Sequence, residues 1–85
     1  IGRDYLIKEL KKLNIMVIGG KSNFLLINFN NKFLCKKIYK KLTERKIYVK
    51  GNYPPPLDTC ILITCGTKYL MNKFLIILKK VIKKG

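Results

Sequence analysis

Hydrophobic residues recur along the chain with two different periods, and the switches between them mark out seven elements. Residues 3–13 (RDYLIKELKKL) place Leu6, Leu10 and Leu13 at helical spacing, with Ile7 widening the stripe and lysines opposite, which predicts an amphipathic helix. Asn14 suits its end, because asparagine tolerates the left-handed conformation that closes many helices. Residues 15–18 (IMVI) form a short solid apolar run, and Gly19-Gly20 after them read as a turn. Residues 23–29 (NFLLINF) predict a second strand, apolar on both faces and therefore expected to be covered on both. Asn30 and Asn31 interrupt it, and either can cap the helix that follows.

That helix is expected over residues 32–45, with Leu34, Cys35, Ile38 and Leu42 on one face and lysines elsewhere. Residues 47–49 (IYV) predict a short strand. Gly51-Asn52-Tyr53-Pro54-Pro55-Pro56 follow as a stiff loop, since three prolines forbid both a helix and a central strand. Cys60 to Cys65 (CILITC) read as a buried strand, and Gly66-Thr67 open a final helix lined by Leu70, Phe74, Ile77, Leu78 and Val81, with Thr67 as its N-cap. The order is α-β-β-α-β-β-α without repeat, linker or boundary. The expectation is a single domain over residues 1–85 of α/β class, α+β-like and two-layered, in which a small mixed sheet of about four strands carries helices packed on it.

Composition narrows the function more than the fold. The chain has 85 residues and an apolar fraction of 48%, ordinary for a globular domain and too high for a disordered tail. No apolar run nears the roughly 18 residues of a membrane span; the longest are residues 24–27 and 74–78, so no membrane partner is expected. No signal peptide is evident, and a first residue of Ile rather than Met suggests an excised segment. Lys and Arg total 19 against 4 acidic residues, for a net charge of +15, which raises nucleic acid as a partner. The excess is nearly all lysine, with only Arg3 and Arg45 as guanidinium forks, and base or phosphate readout favours arginine. Ala and Gln are absent while Ile, Lys, Asn and Tyr abound; these four have AT-rich codons, so genome base composition can produce the lysine excess without selection on charge, and nucleic acid is disfavoured.

Candidate chemistry is sparse. With no histidine in the chain, the commonest general base and metal ligand are both missing, and no metal is expected. Cys35, Cys60 and Cys65 form no CxxC pair, and read as reduced buried thiols of a cytoplasmic protein. Of the four carboxylates (Asp4, Glu9, Glu44 and Asp58), three fall on predicted helix surfaces or ends. No phosphate-cradling loop is present, and Gly66-Thr67 reads as a cap in preference to an anion site.

Three segments in register nevertheless resemble one family. SNFLLINF (22–29), IYKKLTERKIYVK (38–50) and CILITCGT (60–67) before a long helix are similar to the C-terminal small domain of histidinol-phosphate aminotransferase and related fold-type-I pyridoxal-phosphate aminotransferases. That family reads Ala-Asn-Phe before an apolar strand, a helix ending Glu-Arg-Gly, a strand ending Val-Arg, and Leu-Arg-Ile-Thr-Val-Gly-Thr before its last helix. The resemblance implies a domain that closes over a pyridoxal-phosphate site and helps to select substrate. The cofactor lysine and most of the pocket would lie upstream, so the fragment holds no cofactor and is not catalytic alone. Its partners would be the large domain of the same protein and, in the parent, a second subunit.

The departures from that pattern bear on substrate binding. The family arginine that grips the substrate carboxylate corresponds to Leu62, and the one closing the preceding strand to Lys50, which keeps charge without the bidentate fork. Lys50 and Leu62 are accordingly the expected substrate-facing positions, and a parent with Leu62 would have an unusual substrate or have lost transamination. Lys46 replaces the glycine of Glu-Arg-Gly, and Tyr69 and Leu70 replace the acidic first turn of the last helix. Alternation puts Ile61, Ile63 and Cys65 on one face of their strand and Cys60, Leu62 and Thr64 on the other, so Leu62 either faces a neighbouring domain or lies in the core. A second reading is a stand-alone basic α/β module, a retired enzyme domain binding RNA or an anionic partner.

Overall fold

The computed structural model describes residues 2–19 and 23–84. Its elements are α1 (Gly2–Lys12), β1 (Met16–Ile18), β2 (Phe24–Asn28), α2 (Lys32–Glu44), β3 (Val49–Lys50), β4 (Cys60–Thr64) and α3 (Lys68–Lys84), in the expected α-β-β-α-β-β-α order. The turn expected at Gly19-Gly20 lies partly outside the described residues.

Both of the first two helices end in the same way. Asn14 (φ 58°) follows α1 in the left-handed region, and the Ile15 and Asn14 N–H groups donate back to the Leu10 and Lys11 carbonyls. Lys46 (φ 59°) does the same after α2, where the Ile47 and Lys46 N–H groups donate to the Leu42 and Thr43 carbonyls. These are Schellman caps, which satisfy orphan carbonyls and turn an apolar residue back toward the core. At the helix starts, the Asn31 Oδ1 accepts from the Phe33 and Leu34 N–H groups at 3.0 Å each, and the Thr67 Oγ1 accepts from the Leu70 N–H at 3.2 Å.

The sheet runs β1-β2-β4-β3, and every neighbouring pair is antiparallel, where a mixed sheet was expected. The order explains the difference: β4 inserts between β2 and β3, so two strands that run parallel to each other are never hydrogen-bonded neighbours. The third strand starts later than the 47–49 pattern suggested, because the α2 cap takes up Ile47.

The helices pack on one face of this sheet, with α3 contacting both α1 and α2. The core joins Leu25, Ile27, Ile61 and Ile63 of the sheet to Leu6, Leu10, Ile38, Leu42, Phe74 and Leu78 of the helices, all fully buried. Each such side chain contributes roughly 1.5–3 kcal/mol through burial. The α3 stripe is rotated from its expected position: Met71 and Leu75 are buried while Leu70 is 49% exposed. The apolar run in this helix is wide enough to contain two overlapping stripes, and contact with two helices rather than one selects between them.

The opposite face of the sheet is the larger departure. Strand β2 was expected to be covered on both sides, yet only Leu25 and Ile27 are buried, and Phe24 is 51% exposed. Antiparallel partners share a face, so Met16, Ile18, Phe24, Leu26, Leu62, Lys50 and Thr64 all point away from the helices. A strand apolar on both faces fits a sheet covered on both, and among the described residues helices cover only one.

Candidate functional site

Lys50 and Leu62 meet on this uncovered face. They are directly paired across β3 and β4, Leu62 pairs with Leu26 across β4 and β2, and Leu26 pairs with Ile18 across β2 and β1. One row thus crosses all four strands, with a lysine at its edge and three aliphatic side chains behind it. Directly opposed residues sit about 4.5–5.5 Å apart at Cβ, which puts the Lys50 stem within contact range of Leu62.

Of the two positions open to Leu62, the core is excluded: it is half-buried and stands outside the core cluster, while its neighbours Ile61 and Ile63 are within it. A shallow depression of about 190 Å³ forms around the pair, lined by Phe24, Tyr48, Val49, Lys50, Leu62 and Thr64. Alternation along the strand had placed Thr64 beside Leu62. Phe24 and Tyr48 were missed as site residues because cross-strand neighbours are set by sheet order, which no local pattern records.

The depression offers one ammonium, one hydroxyl from Thr64, the Tyr48 phenol and apolar walls, and no carboxylate lines it. That set can hold an anionic group beside an apolar surface. It does not by itself fit pyridoxal phosphate, which needs an enclosed lysine, a partner for the ring nitrogen and a phosphate cradle. Among the described residues, no group of three or more His, Cys, Asp or Glu is placed to hold a metal ion, and no helix is long and apolar enough to cross a membrane.

The remaining chemistry-bearing groups lie elsewhere. Burial pushes the Cys35 thiol up to about 11, with Cys60 and Asp58 adding to the shift, and its Sγ–H donates to the Cys60 carbonyl at 3.4 Å. Burial likewise raises Cys65. Both shifts disfavour the thiolate, which is the nucleophilic form. Glu9 is lowered by its hydrogen bond to Lys12, 3.0 Å away, and by Lys79. Gly66-Thr67 serves as a cap, with the Gly66 carbonyl packed against Gly2 of α1.

Comparison with known proteins agrees with the resemblance. The chain is 34% identical over 77 residues to the histidinol-phosphate aminotransferase of Lactococcus lactis, covering 91% of this chain and 21% of that protein. It is 31% identical over 83 residues to the Aquifex aeolicus enzyme of the same name, covering 95% of this chain and 23% of that one. The chain therefore spans about a fifth of the length of these relatives. A crystal structure of a candidate histidinol-phosphate aminotransferase from Erwinia carotovora atroseptica superposes with a TM-score of 0.78 at 22% identity, over 98% of this chain and 23% of that one, which establishes the shared fold. The family model described as aminotransferase class I and II matches residues 2–77, nearly the whole chain, and on that match the chain belongs to the class I and II aminotransferase family.

Proposed function

We propose that this chain is the small domain of a pyridoxal-phosphate-dependent aminotransferase resembling histidinol-phosphate aminotransferase, and that its helix-free sheet face closes over the active site. The observation that carries this reading is the Lys50–Leu62–Leu26–Ile18 row on a face left uncovered in a chain that spans about a fifth of its relatives. Met16, Ile18 and Phe24 on that face are each at least half exposed, an apolar area that favours a covering body. The large domain of the same protein is the proposed cover, in a cytoplasmic parent that assembles as a homodimer. The cofactor belongs to that larger body, and this segment contributes substrate contacts without being catalytic alone.

On this reading Lys50 meets the anionic end of the substrate as a point charge. Leu62, at the position the resemblance gives to arginine, packs against its apolar part and supplies no second charged contact. The test uses the full-length protein translated from the reading frame that contains these residues. Bound pyridoxal phosphate, released by alkali and quantified, and amino-group exchange between histidinol phosphate and a 2-oxo acid are the expected results. Lys50→Ala should raise KM for the anionic substrate about tenfold or more with a smaller effect on kcat, the size of a lost charged hydrogen bond. A full-length protein without cofactor or exchange activity overturns the reading.

A further inference from the structure

We propose that the outward face of α2, with the loop that follows β3, binds single-stranded nucleic acid. This site lies on the helix side of the molecule and is independent of the aminotransferase reading. Two depressions of about 430 and 550 Å³ adjoin there and share Lys36, Tyr39 and Asn52 as a common wall, so they form one continuous strip.

The strip combines flat rings with unpaired cations. Phe33, Tyr39 and Tyr53 line the first depression, and Phe33 is 75% exposed in the first turn of α2, where no other part of the described chain covers it. The Lys32 ammonium sits 5.5 Å from the centre of the Phe33 ring. Tyr39 is held by the loop backbone: a Cβ on Gly51 would lie 2.6 Å from the ring, so glycine is what allows the approach. Lys36 lines both depressions and Lys40 the second. Neither they nor Lys32 has an ion-pair partner among the described residues, whose ion pairs use Arg3, Lys12, Lys41 and Lys79.

AT-rich codons can supply the number of lysines, but they do not place Lys32, Lys36 and Lys40 in one strip with three rings. A lysine over the Phe33 ring, with Lys36 and Lys40 along the same strip, suits a polyanion that also stacks, which is the chemistry of single-stranded nucleic acid. A duplex hides its base faces and has no use for Phe33. The wall residue Asn52 and the carboxylate of Asp58, which lines the first depression, can meet base edges. No arginine lines the strip, so recognition rests on stacking and charge and shows little sequence preference.

The test is fluorescence anisotropy of this chain with labelled oligo(U) and oligo(dT) of about a dozen nucleotides across a salt series. Affinity should fall steeply with salt, and a duplex of equal length should bind more weakly. Phe33→Ala should weaken binding about tenfold and Phe33→Trp restore it, with circular dichroism unchanged because the ring is at the surface. Lys36→Ala should weaken binding and lower the salt slope by about one, while Lys80→Ala, on α3 outside the strip, should do neither. Binding unchanged by Phe33→Ala, or weakened equally by Lys80→Ala, would show diffuse attraction to a basic protein and overturn the proposal. Equal affinity for the duplex would also overturn it.

Discussion

Lys50 and Leu62 oppose each other across the β3–β4 ladder, so the row of the sheet that faces away from the helices holds a single charge with an aliphatic partner. An arginine in place of Leu62 would put two cations directly opposite each other, which costs about 0.2–1 kcal/mol in a sheet. Leu62→Arg should therefore lower Tm by a few degrees at low ionic strength, and added salt should recover the loss by screening. Phosphate should recover more than chloride at equal ionic strength, because the pair would form a two-cation anion site. A thermal melt series in the two salts measures this, and a loss of stability insensitive to salt would instead indicate a packing defect.

Much of the frame was legible in local patterns. Leu6 and Leu10, then Cys35, Ile38 and Leu42, lie on the faces their spacing indicated, and Asn14, Asn31 and Thr67 cap helices as their chemistry suggested. Two features were hidden because they depend on contacts remote in sequence. The run at residues 24–27 is apolar on both sides, and no local pattern records that the described residues bury only Leu25 and Ile27 of it. Pairing of Lys50 with Leu62 depends on β4 inserting between β2 and β3, and a two-residue strand carries no periodicity from which its register could be read.

Lys46 provides a test of backbone energetics. It holds φ 59°, a conformation costing a β-carbon-bearing residue about 1–2 kcal/mol; glycine removes that strain, and its greater unfolded-state entropy cancels part of the gain. Lys46→Gly should raise stability by about 0.5–1 kcal/mol, or a few degrees in Tm. Asn14 sits in the same conformation at φ 58° but tolerates it better, so Asn14→Gly should gain less. Equal gains at both sites would show that the left-handed conformation strains asparagine as much as lysine.

The α1 start is held by a close backbone contact. A Cβ built on Gly2 would overlap the Gly66 carbonyl oxygen and come within 2.9 Å of the Thr67 carbonyl carbon, and both obstacles are backbone. Gly2→Ala must displace α1 from the start of α3 despite alanine's better helix propensity. It should destabilise by about 1–3 kcal/mol, the range for overpacking, where propensity alone would gain up to about 1 kcal/mol. Chemical denaturation of the two proteins decides the sign.

The buried thiols make stability depend on alkaline pH. Cys35 titrates near 9.0 when unfolded and is raised to about 11 in the fold, first by burial and then by Cys60 and Asp58. A thiol with a higher folded pKa holds its proton more tightly in the native state. Its contribution is therefore complete below about pH 9 and is lost as pH rises toward about 11. Denaturation midpoints should fall across that window, and Cys35→Ala should flatten the fall while lowering stability at neutral pH by removing a buried side chain. At pH 8 a thiol reagent should modify Cys35 slowly in the native protein and rapidly after denaturation, since the thiolate is both scarce and inaccessible. Rapid native-state labelling of Cys35, located by peptide mapping, would show that the α2–β4 contact opens far more readily than its burial implies.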